Sequence, residues 1–158
     1  ISQQTDLPMS EGARFIDSYF AKYPGIRDYL DGVKEEVKKS GYLETFCGRR
    51  RYIPEVHSPN YQIRQAGERM AVNMPIQGTA ADIVKIAMIN IDRVMVEKQM
   101  RSRMILQVHD ELIFEVPKDE MAIIIEIIQD LMPGALDLIV PLKVEIKTGP
   151  NWGSLDIL

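Results

Sequence analysis

The chain has 158 residues, of which 46% are hydrophobic and 27% are charged. These proportions are ordinary for one globular domain and exclude collagen-like or wholly disordered chains. The longest apolar stretch, residues 121–128, is interrupted by Glu126 and is far shorter than the ~20 residues of a membrane-spanning helix. Because of that short stretch, we expect no membrane partner. The single cysteine, Cys47, excludes an internal disulfide and a cysteine-rich zinc site, so we expect a reducing, intracellular setting.

The net charge of −4 is distributed unevenly along the chain. Residues 41–105 carry 10 Lys and Arg against 6 Asp and Glu, whereas residues 106–158 carry 3 against 10. This pattern predicts a polyanion-binding surface followed by a possible cation site, although solvated helix faces explain the same counts. The chain opens with Ile1 instead of methionine, so we expect it to be part of a longer protein.

The first 40 residues place apolar side chains at helical intervals and predict a pair of helices. Pro24 ends the first helix and can begin the second, and Gly41 is a favourable helix stop. A short strand is predicted over residues 42–46, followed by a turn at Gly48 and a returning strand at Tyr52.

The rest of the chain predicts helices first and strands later. Helices are expected at residues 61–72, stopping near Pro75, and at 78–99, where apolar residues on nearly every side predict burial. Alternating apolar residues then predict strands that meet around His109. These later strands and one further helix cover residues 104–108, 112–116, 118–132 and 142–147. The fold class is therefore α+β, a helical hairpin followed by an antiparallel sheet packed on long helices.

The hairpin at residues 107–112 is the strongest candidate for chemistry. Its tip holds His109, Asp110 and Glu111, whereas favoured hairpin turns use Gly or Asn because they require positive φ. Adjacent carboxylates on a hairpin suit Mg²⁺, which prefers oxygen ligands. Two such ions about 4 Å apart stabilise both the attacking and the leaving oxygen of a phosphoryl transfer. A solvated acidic turn without any metal explains the same residues equally well.

A polar row is the second candidate site. Arg69, Asn73 and Gln77 recur every four residues and share one helix face if the helix continues through Pro75. Arginine is a natural phosphate ligand, and the two amides suit the minor-groove acceptors found on every base pair. Contacts to the nucleic-acid backbone are expected from Arg49, Arg50, Arg51 and Arg64. The alternative is a solvated helix face with an ion pair between Arg64 and Glu68.

Three segments together resemble family A DNA polymerases of the bacterial DNA polymerase I type. They are GRRRYIP at residues 48–54, ERMAVNMPIQGTAAD at 68–82 and QVHDEL at 107–112. The resemblance implies that Asp110 is a catalytic metal-binding aspartate, that Glu111 is its auxiliary neighbour and that His109 touches the primer end. It also implies that Arg69, Asn73 and Gln77 contact the duplex near the nascent base pair. The implied reaction is attack of a primer 3′-hydroxyl on the α-phosphate of a deoxynucleoside triphosphate, with two Mg²⁺ ions.

The chain also departs from the family pattern. It contains no Asp-Tyr-Ser-Gln motif, which in the family carries the other metal-binding aspartate, and it lacks the nucleotide-binding helix of the fingers. We therefore expect a C-terminal part of a polymerase domain, with residues 1–60 in the fingers and 61–158 in the palm, inactive by itself. Its expected partners are primer-template DNA, deoxynucleoside triphosphates and the remainder of the polymerase chain, in the bacterial cytoplasm with the nucleoid. A non-catalytic nucleic-acid-binding module and a plain scaffold domain remain the alternatives.

Overall fold

The computed structural model describes residues 8–158, which form two compact units that divide between Ile76 and Gln77. The division falls inside a helix, later than the boundary expected at residue 60, and the assignment of the two parts to fingers and palm stays a prediction. The helices are α1 (Met9–Lys22), α2 (Pro24–Ser40), α3 (Tyr61–Glu97) and α4 (Met121–Leu131). The strands are β1 (Tyr42–Glu44), β2 (Arg50–Tyr52), β3 (Arg103–Val108), β4 (Glu111–Glu115), β5 (Lys147–Asn151) and β6 (Ser154–Ile157).

The predicted helical hairpin is confirmed in the first unit. Pro24 is the first residue of α2, where its missing N–H costs nothing. Gly41 ends α2 in the left-handed region at φ 75° and donates its N–H to the Val37 carbonyl at 2.8 Å. Glycine adopts this conformation without the steric penalty of a Cβ atom. The predicted start of α2 at Pro24 and its predicted end at Gly41 are therefore both confirmed.

The core of the first unit is built by α2, the β1–β2 ribbon and the start of α3. Its buried side chains are Val33, Val37, Leu43, Ile53, Val56, Ala71 and Met74. The apolar stripe that predicts α1 takes no part in this core, and Phe15 on α1 is 63% exposed. Helical periodicity therefore identified the helix correctly without showing what it packs against.

The prediction of two helices on either side of Pro75 is wrong, because α3 runs without a break for 37 residues. The helix begins after Asn60, whose Oδ1 accepts the Gln62 N–H at 2.9 Å as an N-terminal cap. Pro75 lies inside the helix and costs about 3 kcal/mol there, because it cannot donate to the carbonyl one turn earlier. The neighbouring Ala71 and Met74 are buried in the first core, and this packing offsets the cost.

Burial of the second half of α3 on nearly every side is also not observed. Ala87 and Ile91 are fully buried, whereas Ile89 is 60% and Val96 is 68% exposed within the described part of the chain. One stripe of the helix packs onto α4, where Ile91 and Met95 meet Ile124 and other buried residues of the second core. The prediction from apolar composition was therefore wrong: within residues 8–158, only part of the surface of this half of α3 is buried.

The strands of the second unit form two antiparallel ribbons, β3–β4 and β5–β6, in place of a single sheet. The α+β class is confirmed, but the strand predicted at 142–147 is wrong, because β5 begins only at Lys147. The alternation in that segment still reports its environment. Leu142, Val144 and Ile146 are half-buried, while Lys143 and Glu145 are exposed. Periodicity records which side chains face the core, whereas a strand also needs a partner for its backbone hydrogen bonds.

A carboxylate clamp fixes the base of the β3–β4 ribbon. Glu120, just before α4, accepts the Ser102 N–H at 2.8 Å, the Ser102 hydroxyl at 2.6 Å and the Arg101 N–H at 2.9 Å. The Arg101 guanidinium contacts Glu120 and the neighbouring Asp119. The hydrogen bonds from Ser102 and Arg101 lower the pKa of Glu120 to about 2. The clamp therefore joins the start of β3 to the start of α4 through one ionised side chain.

Replacement of Gly67 by alanine should destabilise the protein by about 1–3 kcal/mol through overpacking. A Cβ atom there would lie 2.8 Å from the Val56 backbone nitrogen, in the short 3₁₀ helix Pro54–His57. Urea unfolding measures the effect. The control is Gly32→Ala in α2, where a Cβ atom meets nothing within 4 Å, and it should stabilise by roughly 0.5–1 kcal/mol. Stabilisation by both substitutions would contradict the close approach at Gly67.

The Glu120 clamp should make stability fall in acid. Because the folded-state pKa of about 2 lies below the ordinary value of 4.5, the stabilisation is present above about pH 4.5 and is lost as the pH falls toward 2. In urea unfolding at several pH values, the advantage of wild type over Glu120→Gln should shrink through this window. The control Glu126→Gln changes an exposed carboxylate on α4 and should stay within about 0.5 kcal/mol of wild type. An advantage that does not change with pH would refute the clamp.

Candidate functional site

The acidic hairpin has a two-residue turn. Val108 at the end of β3 pairs with Glu111 at the start of β4, which leaves His109 and Asp110 as the connection. His109 adopts φ 54°, in the left-handed region where histidine is several times commoner than most residues other than glycine. The Gln107 side-chain amide donates to the His109 carbonyl at 3.2 Å and braces the turn. The turn contains neither Gly nor Asn, but His109 supplies the positive φ that a two-residue hairpin turn requires at its first position.

Both carboxylates of the turn are exposed at the tip of the ribbon. Asp110 belongs to the turn itself and Glu111 is the first residue of β4. Two adjacent carboxylates fit one Mg²⁺ ion that takes its other ligands from substrate phosphates and water. Within residues 8–158, no group of three or more His, Cys, Asp or Glu is placed to hold a metal ion. Among the described residues, the turn therefore presents two adjacent carboxylates as candidate metal ligands.

A cation lies near the second carboxylate. Lys147, the first residue of β5, pairs with Glu145 at 2.9 Å. Its hydrogen bond to Glu145 raises the pKa of Lys147 above the ordinary value, and the charges of Glu145 and Glu111 act in the same direction. The electrostatic environment of Glu111 thus includes a lysine that the sequence pattern did not single out, because it lies 36 positions further along the chain.

The first unit contains an open cleft of about 420 Å³ between α2 and α3. Arg69 and Asn73, two residues of the polar row, lie on its α3 side. Both side chains are exposed, and both suit nucleic acid, the guanidinium for phosphate and the amide for base edges. The remaining lining residues are Leu30 and Lys34 on α2, and Gln65, Glu68 and Val72 on α3.

The ion pair expected for a simple solvated helix face is replaced by other contacts. Arg64 donates to the Ser58 carbonyl at 2.9 Å and lies over the Tyr61 ring. Glu68 pairs instead with Lys38 of α2 at 3.1 Å. Arg64 therefore holds the loop before α3, whereas Glu68 joins the two helices that border the cleft.

Gln77, the third member of the polar row, is the first residue of the second unit and is exposed on α3. Because α3 continues through Pro75, the row lies on one helix, as the DNA-contact interpretation requires. Within the second unit, the acidic turn does not line the cleft of about 230 Å³ between Pro133 and Leu142. The DNA-binding and catalytic roles of individual residues stay predictions.

The three consecutive arginines differ in their surroundings. The turn before them is closed at Gly48, which adopts φ 78°. Arg50 pairs with Glu44 across the β1–β2 ribbon at 2.6 Å and Arg51 contacts the Met70 sulfur at 3.7 Å, while the Arg49 backbone bonds to Thr45. Arg50 is thus partly neutralised, which weakens its expected contact with a nucleic-acid backbone.

The structure reveals two residues near the polar row that sequence reasoning missed. Lys34 lines the cleft and Lys38 holds Glu68, although both lie more than 30 positions before Arg69. Their spacing of four residues on α2 was a weak signal of a shared face. The spacing does not show that this face of α2 lies beside α3, which only the tertiary structure reveals.

Comparison with known proteins confirms the resemblance inferred from the three motifs. The sequence pattern of DNA polymerase family A matches residues 1–154. DNA polymerase I of Mycobacterium tuberculosis (strain ATCC 25618 / H37Rv) is 49% identical over 152 residues, and that of Bacillus subtilis (strain 168) is 47% identical. In both comparisons the match covers 96% of this chain and 17% of the relative.

A solved structure agrees with the sequence relatives. The POL domain of Pol1 from M. smegmatis, in complex with DNA primer-template and dNTP, matches with a TM-score of 0.86 at 46% identity. The match covers 90% of this chain and 25% of that domain. Among residues 8–158, every helix is too short or too polar to cross a lipid bilayer. The family match, the relatives and the solved structure lead to one assignment: the chain belongs to DNA polymerase family A.

Proposed function

We propose that this chain is the part of a DNA-directed DNA polymerase that carries the acidic turn and the duplex-contacting helix. The main support is the β3–β4 turn, in which a two-residue connection with a left-handed histidine presents Asp110 and Glu111 at an exposed tip. Relatives that match almost the whole chain are named DNA polymerase I. The complete enzyme adds deoxynucleotides to a primer 3′-hydroxyl under the direction of a template, in association with the bacterial nucleoid.

The acidic turn supplies ligands for the reaction. Asp110 would hold a Mg²⁺ ion, and Glu111 would assist from the adjacent position. Two Mg²⁺ ions, when bound, stabilise the attacking and the leaving oxygens of the phosphoryl transfer. Because the turn offers only two carboxylates, a further aspartate from the remainder of the polymerase chain completes the site. His109 lies beside Asp110 and contacts the primer end.

The polar row holds the duplex. Arg69 binds a backbone phosphate, and Asn73 and Gln77 donate to minor-groove acceptors that every correct base pair presents. Such contacts depend on the geometry of the base pair and do not distinguish one base sequence from another. Arg49, Arg51 and Arg64 add backbone contacts, whose strength falls with salt, while Arg50 contributes less because of its pair with Glu44.

The rival candidate is a non-catalytic nucleic-acid-binding module of the same fold. The observation that favours it is the small number of carboxylates, since no group of three or more potential ligands occurs within residues 8–158. The two candidates share the polar row and differ in the acidic turn. Substitution of Asp110 therefore distinguishes them.

In the complete polymerase, Asp110→Asn should abolish primer extension while leaving duplex affinity nearly unchanged. Loss of a metal ligand removes several kcal/mol of transition-state stabilisation, which corresponds to a rate loss of about a thousandfold or more. Single-turnover extension and fluorescence anisotropy with labelled duplex measure the two properties. The matched control is Asp130→Asn, at an exposed position on α4, which should extend primers at the wild-type rate. Near-normal extension by Asp110→Asn would support the non-catalytic module instead.

The 158-residue chain by itself should bind duplex DNA without extending a primer. Its sequence lacks the Asp-Tyr-Ser-Gln motif, and two carboxylates are too few to hold two ions. Gel-resolved primer extension with Mg²⁺ and all four deoxynucleoside triphosphates measures the activity. Addition of the missing polymerase segment in trans is the positive control. Extension by the chain alone at a rate comparable with a complete family A enzyme would overturn this expectation.

A further inference from the structure

We infer that the cleft between α2 and α3 binds the sugar-phosphate backbone of duplex DNA, with Lys34 as a phosphate contact in addition to the polar row. The inference rests on the proposed function, because it assigns a further DNA contact to the same polymerase. It adds a second helix, α2, to an interface whose other helical contacts lie on α3.

Charge is the first argument. Lys34 lies on the α2 wall of the cleft and Arg69 on the α3 wall. The one carboxylate among the lining residues, Glu68, is paired with Lys38 at 3.1 Å, so it does not cancel these two cations. A groove with cations on both walls and a neutralised carboxylate is complementary to a phosphate.

The availability of Lys34 is the second argument. Its ammonium group lies 3.6 Å from Asp31, whose side chain is 67% exposed. An exposed pair of this kind is worth at most about 1 kcal/mol, so a phosphate can replace the aspartate. Lys38, four residues further on, is held by Glu68 and has a different role. It keeps the wall of the cleft in place.

The lining chemistry is the third argument. Leu30 and Val72 are half-buried and form apolar parts of the two walls, while Gln65 and Asn73 add amides. A free phosphate ion makes no use of apolar walls, whereas a deoxyribose packs against them. The volume of about 420 Å³ lies within the range of ligand-binding clefts, about 300–1,000 Å³. The cleft therefore fits a phosphate together with its sugar.

Binding of labelled, blunt-ended duplex DNA to the 158-residue chain tests the inference. Fluorescence anisotropy is measured over a series of salt concentrations in the presence of chelator, so that the metal chemistry of the acidic turn does not enter. Lys34→Gln should weaken binding about threefold to tenfold and reduce the slope of log affinity against log salt by about 0.9, the value for one lost phosphate contact. Lys34→Arg keeps the charge and should preserve the slope.

The matched control is Lys39→Gln. Lys39 is exposed on the same helix, but at five residues from Lys34 it lies on another face. It causes the same change of net charge and should leave the slope unchanged. Equal slopes for Lys34→Gln and Lys39→Gln would overturn the inference, as would the absence of duplex binding by wild type. Circular dichroism checks that both variants are folded.

Failure of the proposed function gives a different result. If the complete enzyme with Asp110→Asn still extends primers while Lys34→Gln reduces the salt slope, the catalytic assignment fails and the DNA contact stands. If Asp110→Asn abolishes extension while Lys34→Gln behaves like Lys39→Gln, the catalytic assignment stands and the cleft assignment fails.

Discussion

Both buried cores are built on one uninterrupted helix, α3. One helix supplies Ala71 and Met74 to the core of the first unit and Ile91 and Met95 to the core of the second. It passes through Pro75, where the missing hydrogen bond and the ring both oppose a helix. Burial of the residues on either side outweighs this local cost, as tertiary packing commonly does for helices in proteins. Because the helix continues, the polar row recurs at intervals of four residues on a single element.

The acidic turn shows how a ribbon can present charge in a fixed conformation. Antiparallel pairing of Val108 with Glu111 leaves only two residues to reverse the chain. His109 accepts the left-handed conformation, so Asp110 and Glu111 need no glycine beside them. At the other end of the ribbon, Glu120 fixes the start of β3 through bonds to Arg101 and Ser102. A two-residue turn and an ionised clamp thus limit movement at both ends of the element that carries the proposed metal ligands.

Two ion pairs of the first unit have different tasks. Lys38 and Glu68 join α2 to α3 and leave the cleft between them with an excess of positive charge. Arg50 pairs with Glu44 on the β1–β2 ribbon, which weakens the expected DNA contact of one of the three neighbouring arginines. A count of basic residues in the middle of the chain could not distinguish these cases. The partner of each side chain decides whether its charge is available to a polyanion.

Local signals in the sequence were enough to place most helices and strands and to identify the family. Pro24 and Gly41 marked the ends of α2, alternation marked β3 and β4, and three motifs in order identified a family A DNA polymerase. These features depend on neighbouring residues or on short patterns, which a sequence contains in full. Long-range packing decided that α3 continues through Pro75, that β5 begins only at Lys147, and that Lys34 and Lys38 lie beside the polar row. Each of these outcomes depends on burial or on a partner far away in the chain, and neither propensity nor periodicity carries that information.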